Sequence, residues 1–324
     1  MIIILSKEFD DNTDQVIDWL QSREAEFLRV KSTDLLNNAS SISLQVNQTS
    51  IQIGEVTINS QDEDVVWFRN FDLKEGFQLS NRSEVANWDK VKNYLTDEFS
   101  TALQGLFSSW RNKKWLCSHA ASSFTKLNAL QVAASVGLTI PDTLITNQKA
   151  VLSAFLAKHP KGIITKPLYE AQFIHIDHEL FNLHTLVVDS AAMEEIPETF
   201  HLSKLQQRIE KKYEVRVFYL DGECYPMAIM SQTDQKTSVD YRNYNTEKPN
   251  RNVPHLLPAM INEKIINFMK AMELNTGSID FIKSTDNEYV FLEVNPHGQF
   301  GMVSAPCNYY LEEKIADYLI DQQV

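Results

Sequence analysis

Glycine is scarce in this sequence: nine residues in 324, and none between Gly162 and Gly222. A backbone that cradles phosphate closely needs glycines at fixed offsets, and neither a GxGxxG nor a GxxxxGK[ST] pattern is present. Dinucleotide-binding oxidoreductases and P-loop nucleotidases of those types are excluded. Cysteine is scarcer still. Cys117, Cys224 and Cys307 are odd in number, far apart and without a CxxC pair, which argues against a disulfide framework and a structural zinc site and for a reducing, cytoplasmic setting. The histidines lack HxxxH and HExxH spacing and there is no GxSxG elbow, so zinc catalysis and a serine triad have no support. No apolar run is long enough to span a bilayer, so no membrane role is expected. The apolar start Ile2-Ile3-Ile4-Leu5 meets Lys7, Glu8 and Asp10 too soon for a secretory signal and reads as a first strand. Basic charge is also short. A net charge of −13 makes nucleic acid a poor partner, although a locally basic pocket can still hold a small polyanion.

What remains is an ordinary core-forming chain, 43% hydrophobic and 23% charged, patterned as α/β with α+β subdomains. The first unit reads as a strand over 2–5, a helix carrying Val16, Trp19 and Leu20, and a strand over 27–30. A meander over 42–58 turning at Gly54-Glu55 follows, then a buried strand over 65–68. A long helix is expected from near Ser83, and the unit closes around Trp115. The second unit opens with Ser122 or Ser123 capping a helix that Gly137 ends. A helix over 150–158 and a strand over 162–166 follow, and Pro167 stops that strand. Residues 169–199 alternate too weakly to place. In the last unit, Asp221-Gly222 joins strands 214–220 and 223–230 in a type I′ hairpin. Pro258 opens a helix, strands 278–282 and 289–295 pair about 285–287, and a helix over 309–320 closes the chain.

The sharpest chemical signal is Phe291-Leu292-Glu293-Val294-Asn295-Pro296. Strand alternation puts Glu293 and Asn295 on one face and Leu292 and Val294 on the other. The hairpin brings Asp280 roughly opposite Glu293, and two carboxylates with one amide oxygen suit a hard cation such as Mg²⁺. A lone Asp there would be an ordinary solvated residue. Lys166 ends a strand and Lys126 lies in a helix's first turn, where the dipole mildly disfavours a cation, yet each alone reads as a surface lysine. Glu214 and Arg216 face away from Val215 and Val217. That Arg is either half of a cross-strand ion pair or a carboxylate or phosphate clamp. Gln206-Gln207-Arg208-Ile209-Glu210-Lys211 is by itself an unremarkable polar stretch. Asp240-Tyr241-Arg242 is either a surface ion pair or a carboxylate site. His297, Gly298, Gln299 and Gly301 give a flexible loop beside the proposed cation.

Taken in order, these motifs resemble the ATP-grasp superfamily, and more narrowly the ligases that cross-link side chains of ribosomal peptides (graspetides, the microviridin type). Met1-Ile2-Ile3-Ile4-Leu5-Ser6, Val16-Ile17-Asp18-Trp19-Leu20 and Val66-Trp67-Phe68-Arg69 look most like the grasp-with-spasm maturases. The resemblance implies a pre-ATP-grasp α/β domain over 1–120, a central subdomain over 121–205 and a C-terminal, metal-bearing subdomain over 206–324. It implies ATP and Mg²⁺ as cofactors. Lys126 and Lys166 would contact phosphate oxygens, Gln206, Gln207, Arg208 and Ile209 would form the hinge reading the adenine edge, and Glu214 would serve the nucleotide. Arg216 would lie near the transferred phosphoryl group and Asp280, Glu293 and Asn295 would hold magnesium. Asp240 and Arg242 would hold the core segment of a leader-bearing precursor peptide, and a homodimer is expected. The glycine-free stretch after Lys166 departs from the family pattern, which often places a glycine-containing lid there. A ligase adding a free amino acid to a carboxylate, or a silent nucleotide- or peptide-binding module, are the alternatives. The intact Arg216, Asp280, Glu293 and Asn295 set weighs against the last.

Overall fold

Four consecutive apolar residues leave no face for solvent, and Ile2–Leu5 (β1) is fully buried as an interior strand in the computed structural model of the chain. The structure describes residues 1–36, 40–45, 48–71, 87–169, 173–176, 179–182, 185–233 and 249–323. After β1 come α1 (Asp11–Ser22), β2 (Phe27–Val30), the meander β3 (Ser40–Gln45), β4 (Gln48–Ile53) and β5 (Val56–Asn59), then β6 (Val65–Phe68), α2 (Trp88–Ser109) and β7 (Lys114–Leu116). The order β2-β1-β6-β7 is parallel throughout. Ile3, Leu5, Val66 and Phe68 pack on α2 and the meander, whereas Ile2, Ile4, Val65 and Trp67 face the other way. Asp10 starts α1 by accepting the Thr13 N–H. The start expected near Ser83 lies outside the described residues.

The middle of the chain forms α3 (Lys126–Ser135), β8 (Thr143–Gln148), α4 (Lys149–Lys158), β9 (Ile163–Lys166), β10 (Phe173–Ile176), β11 (Glu179–Asn182), β12 (Leu186–Val188), α5 (Ser190–Glu195) and β13 (Thr199–Gln207). The cap of α3 is Thr125, not Ser122 or Ser123: its extended backbone lets Oγ1 accept the Asn128 N–H at 3.1 Å. The two serines instead donate to the His119 carbonyl in the preceding turn. The sheet order is β12-β9-β13-β8, with Leu152, Phe155, Ile163, Val188 and Leu205 as its core. The stretch that alternated too weakly to place contains the antiparallel ribbon β10–β11, then β12 and α5, which Asp189 caps.

The last third is β14 (Lys211–Leu220), β15 (Glu223–Met230), β16 (Arg251–Pro254), α6 (Ala259–Ala271), β17 (Thr276–Ser284), β18 (Tyr289–Asn295), α7 (Gly301–Cys307) and α8 (Leu311–Asp321). Asp221 and Gly222 both have positive φ, as a type I′ turn requires. The antiparallel order is β16-β15-β14-β17-β18. Val215, Val217, Ile279, Phe281 and Phe291 bury one face under α3 and α6. On the other face Phe218 and Leu220 join Ile2, Ile4, Val16 and the apolar sides of α7 and α8 in a core shared with the first sheet. The expected helix over 309–320 begins later, at Leu311, because Asn308 and Tyr310 are left-handed and break any continuous helix. Both buried cysteines and the half-buried Cys224 are free thiols. No helix among the described residues is long and apolar enough to cross a membrane.

Candidate active site

Glu214 and Arg216 share a face of β14 with Phe218 and Leu220, but only the apolar pair is covered by α7 and α8. The polar end of that face opens into a cleft of about 380 Å³ between the four- and five-stranded sheets. Ile164, Lys166 and residues 206–211 form one wall; Glu214, Asp280, Ile282, Leu292 and Glu293 form the other. Pro141, Ile164, Ile209, Ile282 and Leu292 make part of the lining apolar, while Lys166, Lys211, Glu214, Asp280 and Glu293 make the rest charged.

The register is explicit. Arg216 lies directly opposite Asp280, and Asp280 directly opposite Glu293. Arg216 Nη1 donates to both Asp280 carboxylate oxygens at 3.2 Å. Lys126 Nζ reaches Glu293 Oε2 at 3.4 Å from the first residue of α3. Lys126, Glu293, Asp280 and Arg216 thus form a row of alternating charge across four elements, α3, β18, β17 and β14. Beside it Lys211 is ion-paired with Glu214, and Ser231 Oγ donates to the same Glu214 oxygen at 3.1 Å. Lys166 stands at the end of β9, in register with Lys204.

Two expectations need correction or completion. Leu292 does not share the buried face of Val294. Between Asp280 and Phe281 the ladder shifts by one residue, and this bulge turns both Leu292 and Glu293 toward the cleft while Phe291 stays in the core. The loop after Asn295 is also short and anchored. Asn295 sits at the exposed end of β18, where its Oδ1 accepts the His297 N–H at 3.0 Å, and α7 begins at Gly301. Asp240 and Arg242 lie outside the described residues. Sequence reasoning missed Lys211, Ser231 and the lining role of Leu292. A lysine three residues before a strand glutamate was the available signal for the first. Nothing local announces a bulge.

Asp280, Glu293 and Asn295 offer oxygen donors only, and among the described residues no group of three His, Cys, Asp or Glu could hold a metal. Two carboxylates and an amide are hard donors that leave room for substrate oxygens, which fits Mg²⁺ and not zinc. Behind this strand end His297 packs on Phe68, with ring centroids 5.3 Å apart, and on Cys117, whose Sγ is 3.5 Å from Nδ1. Burial, with Arg69 adding repulsion, pushes His297 down to about 4, so its ring is neutral at pH 7.

Neither a family model nor a curated protein matches the sequence. Solved structures do. The macrocyclase MdnC of Microcystis aeruginosa MRC, bound with precursor peptide MdnA, aligns over 99% of both chains with a TM-score of 0.81 and 23% identity. A RiPP-associated ATP-grasp ligase of Chryseobacterium gregarium, in complex with ADP and a leader and core peptide, covers 99% of this chain and 96% of its own, with a TM-score of 0.84 and 24% identity. The ATP-grasp ligase PsnB, complexed with minimal precursor, Mg and ADP, gives 0.78 at 17% identity over 100% and 97%. The chain therefore has the ATP-grasp fold, preceded by an N-terminal α/β unit.

Proposed function

We propose that the chain is an ATP-dependent, ADP-forming ligase that closes rings in a ribosomally made precursor peptide. It would activate Asp or Glu side-chain carboxylates as acyl phosphates and join them to Ser or Thr hydroxyls, or Lys amines, as graspetide ω-esters or ω-amides. The observation that carries this reading is the row Lys126, Glu293, Asp280, Arg216 at a cleft whose remaining walls suit a nucleotide. Solved examples of this fold hold ADP, Mg, and leader and core peptides.

In this reading the apolar part of the cleft takes the base. The backbone of Gln206, Gln207, Arg208 and Ile209 reads the adenine edge; the Gln207 and Arg208 N–H groups are already given to the Asp142 and Gly162 carbonyls, which leaves the reading to the remaining backbone groups of that stretch. Glu214, held by Lys211 and Ser231, serves the nucleotide. Lys126 and Lys166 contact phosphate oxygens, and Asp280, Glu293 and Asn295 hold Mg²⁺. Bound Mg²⁺ supplies neutralising charge to the phosphate oxygens. Arg216 balances Asp280 and lies near the transferred phosphoryl group, and Asp240 and Arg242 hold the core segment. A free carboxylate resists attack because it would have to expel oxide. Phosphorylation replaces that leaving group by phosphate, and a hydroxyl on the same peptide then attacks with the advantage of proximity. The cleft walls exclude water that would hydrolyse the acyl phosphate. A cytoplasmic homodimer acting without nucleic acid or membrane completes the proposal, and light scattering should give twice the 37.2 kDa chain mass.

The test is the intact mass of a candidate precursor after incubation with enzyme, ATP and Mg²⁺. Each closure should remove about 18 Da, one water per condensation. Asp280→Ala and Glu293→Ala should abolish the loss while precursor binding persists. A mass gain equal to one amino acid would replace this reading by the free-amino-acid ligase. Retained activity in either variant would refute the metal assignment.

A further inference from the structure

Arg69 directly follows the buried strand β6 and is itself only 3% exposed. Its Nη1 donates to the carbonyl of His297 and, at 3.2 Å, to that of Gly298. Its Nε faces Asp10 at 3.4 Å and its guanidinium lies 5.3 Å from the Phe300 ring centroid. The N–H groups of the same two residues look the other way, at Asn295. The His297 N–H donates to Asn295 Oδ1 and the Gly298 N–H to the Asn295 carbonyl, both at 3.0 Å. Each of these residues thus donates to Asn295 and accepts from Arg69. A guanidinium 228 residues away in sequence thus anchors the loop whose N–H groups hold the side-chain oxygen and the carbonyl of Asn295. Two further ties from the N-terminal unit hold the loop in place: Asn12 Oδ1 accepts the Gly301 N–H at 2.8 Å, and Cys117 meets the His297 ring.

We propose that Arg69 is a positioning residue for the divalent-cation site, acting on Asn295 by anchoring the loop of His297 and Gly298; this rests on the assignment of Asn295 as a cation ligand. Arg69 touches neither nucleotide nor peptide in this scheme. The His297 carbonyl and the Gly298 N–H belong to one rigid peptide, so removing Arg69 frees that peptide to turn away from the Asn295 carbonyl and loosens the loop whose next N–H, that of His297, holds Asn295 Oδ1.

The experiment is Mn²⁺ binding in the presence of ADP, read as free Mn²⁺ by electron paramagnetic resonance. It compares the wild type, Arg69→Met, Arg69→Lys, Asn295→Ala and the Arg69→Lys/Asn295→Ala double variant, with thermal melts of each. Loss of a group that orients a ligand typically weakens a metal about 10-fold or more. Both Arg69 variants should show such weakening, and the double variant should be no weaker than Asn295→Ala alone, because the two residues act through one oxygen. Arg69→Lys keeps a positive charge, but a single ammonium cannot face Asp10 and reach both carbonyls at once as Nε and Nη1 do, so it decides the question if Arg69→Met does not fold. Unchanged Mn²⁺ affinity in Asn295→Ala would overturn the ligand assignment itself. Weakened binding in Asn295→Ala with wild-type affinity in Arg69→Lys, or fully additive losses in the double variant, would overturn the role of Arg69 alone.

Discussion

The three thiols show how burial decides chemistry at a single residue. Cys117 and Cys224 are both pushed up to about 12 and Cys307 to about 11, in each case chiefly because burial disfavours the thiolate. A raised thiol pKa keeps the proton on sulfur at neutral pH, and only the thiolate is nucleophilic. Iodoacetamide at pH 7.5 should therefore leave the native protein unlabelled and fully active, while mass spectrometry after denaturation should find three adducts. Rapid labelling of Cys117 in the native state would contradict its packing against His297. At this scale the sequence was partly legible. The number and spacing of the cysteines argue against a disulfide framework, but their inertness follows from neighbours that spacing does not name.

At the scale of elements the decisive contact is the close approach of β17 to the loop after β18. A Cβ built on Gly298 would stand 2.2 Å from Ser278 Cβ and 2.9 Å from the Ser278 amide nitrogen, far inside contact distance. Gly298→Ala must push the loop off the strand, and overpacking of this kind costs about 2 kcal/mol. Chemical denaturation should show that loss, and Ser278→Gly in the same chain should return part of it by removing the nearest two atoms. The proposed ligase activity should fall in Gly298→Ala even where the protein remains folded, because Gly298 N–H holds the Asn295 carbonyl. The bulge at Leu292 belongs to this scale too. Period-two alternation correctly paired Asp280 with Glu293 and misdirected Leu292, since one extra residue in a ladder reverses a side chain without changing the residue pattern.

For the whole molecule, the N-terminal sheet and the last two helices are one packed body. Phe218 and Leu220 from the five-stranded sheet meet Ile2, Ile4 and the apolar sides of α7 and α8 in a single core. Acid should destabilise the fold, through histidines buried beside its other cores. Burial lowers the pKa of His119, and burial together with Lys283 lowers that of His255, both from an ordinary value of 6.5. Below about 6.5 the unfolded chain binds protons at these sites that the folded chain refuses, so their contribution is fully present above 6.5 and is lost as pH falls. The melting temperature should drop steadily from pH 6.5 to 5, and His119→Leu, which keeps an apolar group against Phe68 and Phe107, should flatten that slope. An unchanged slope in the variant would remove His119 from the explanation.

Local order came from the sequence alone. Ile2–Leu5, Phe27–Val30 and Val65–Phe68 were readable because their neighbours along the chain are apolar, and the Asp221-Gly222 turn because few residues accept two positive φ angles in a row. The pairing of Asp280 with Glu293 followed from alternation and a short hairpin. Tertiary structure alone decided what lies across large sequence gaps. It placed Lys126 on Glu293, closed the cleft between two sheets, set Arg69 on the carbonyls behind Asn295 and brought α8 onto the first sheet. Periodicity reports which face of an element is buried, but not which partner buries it, and a catalytic arrangement is made of partners.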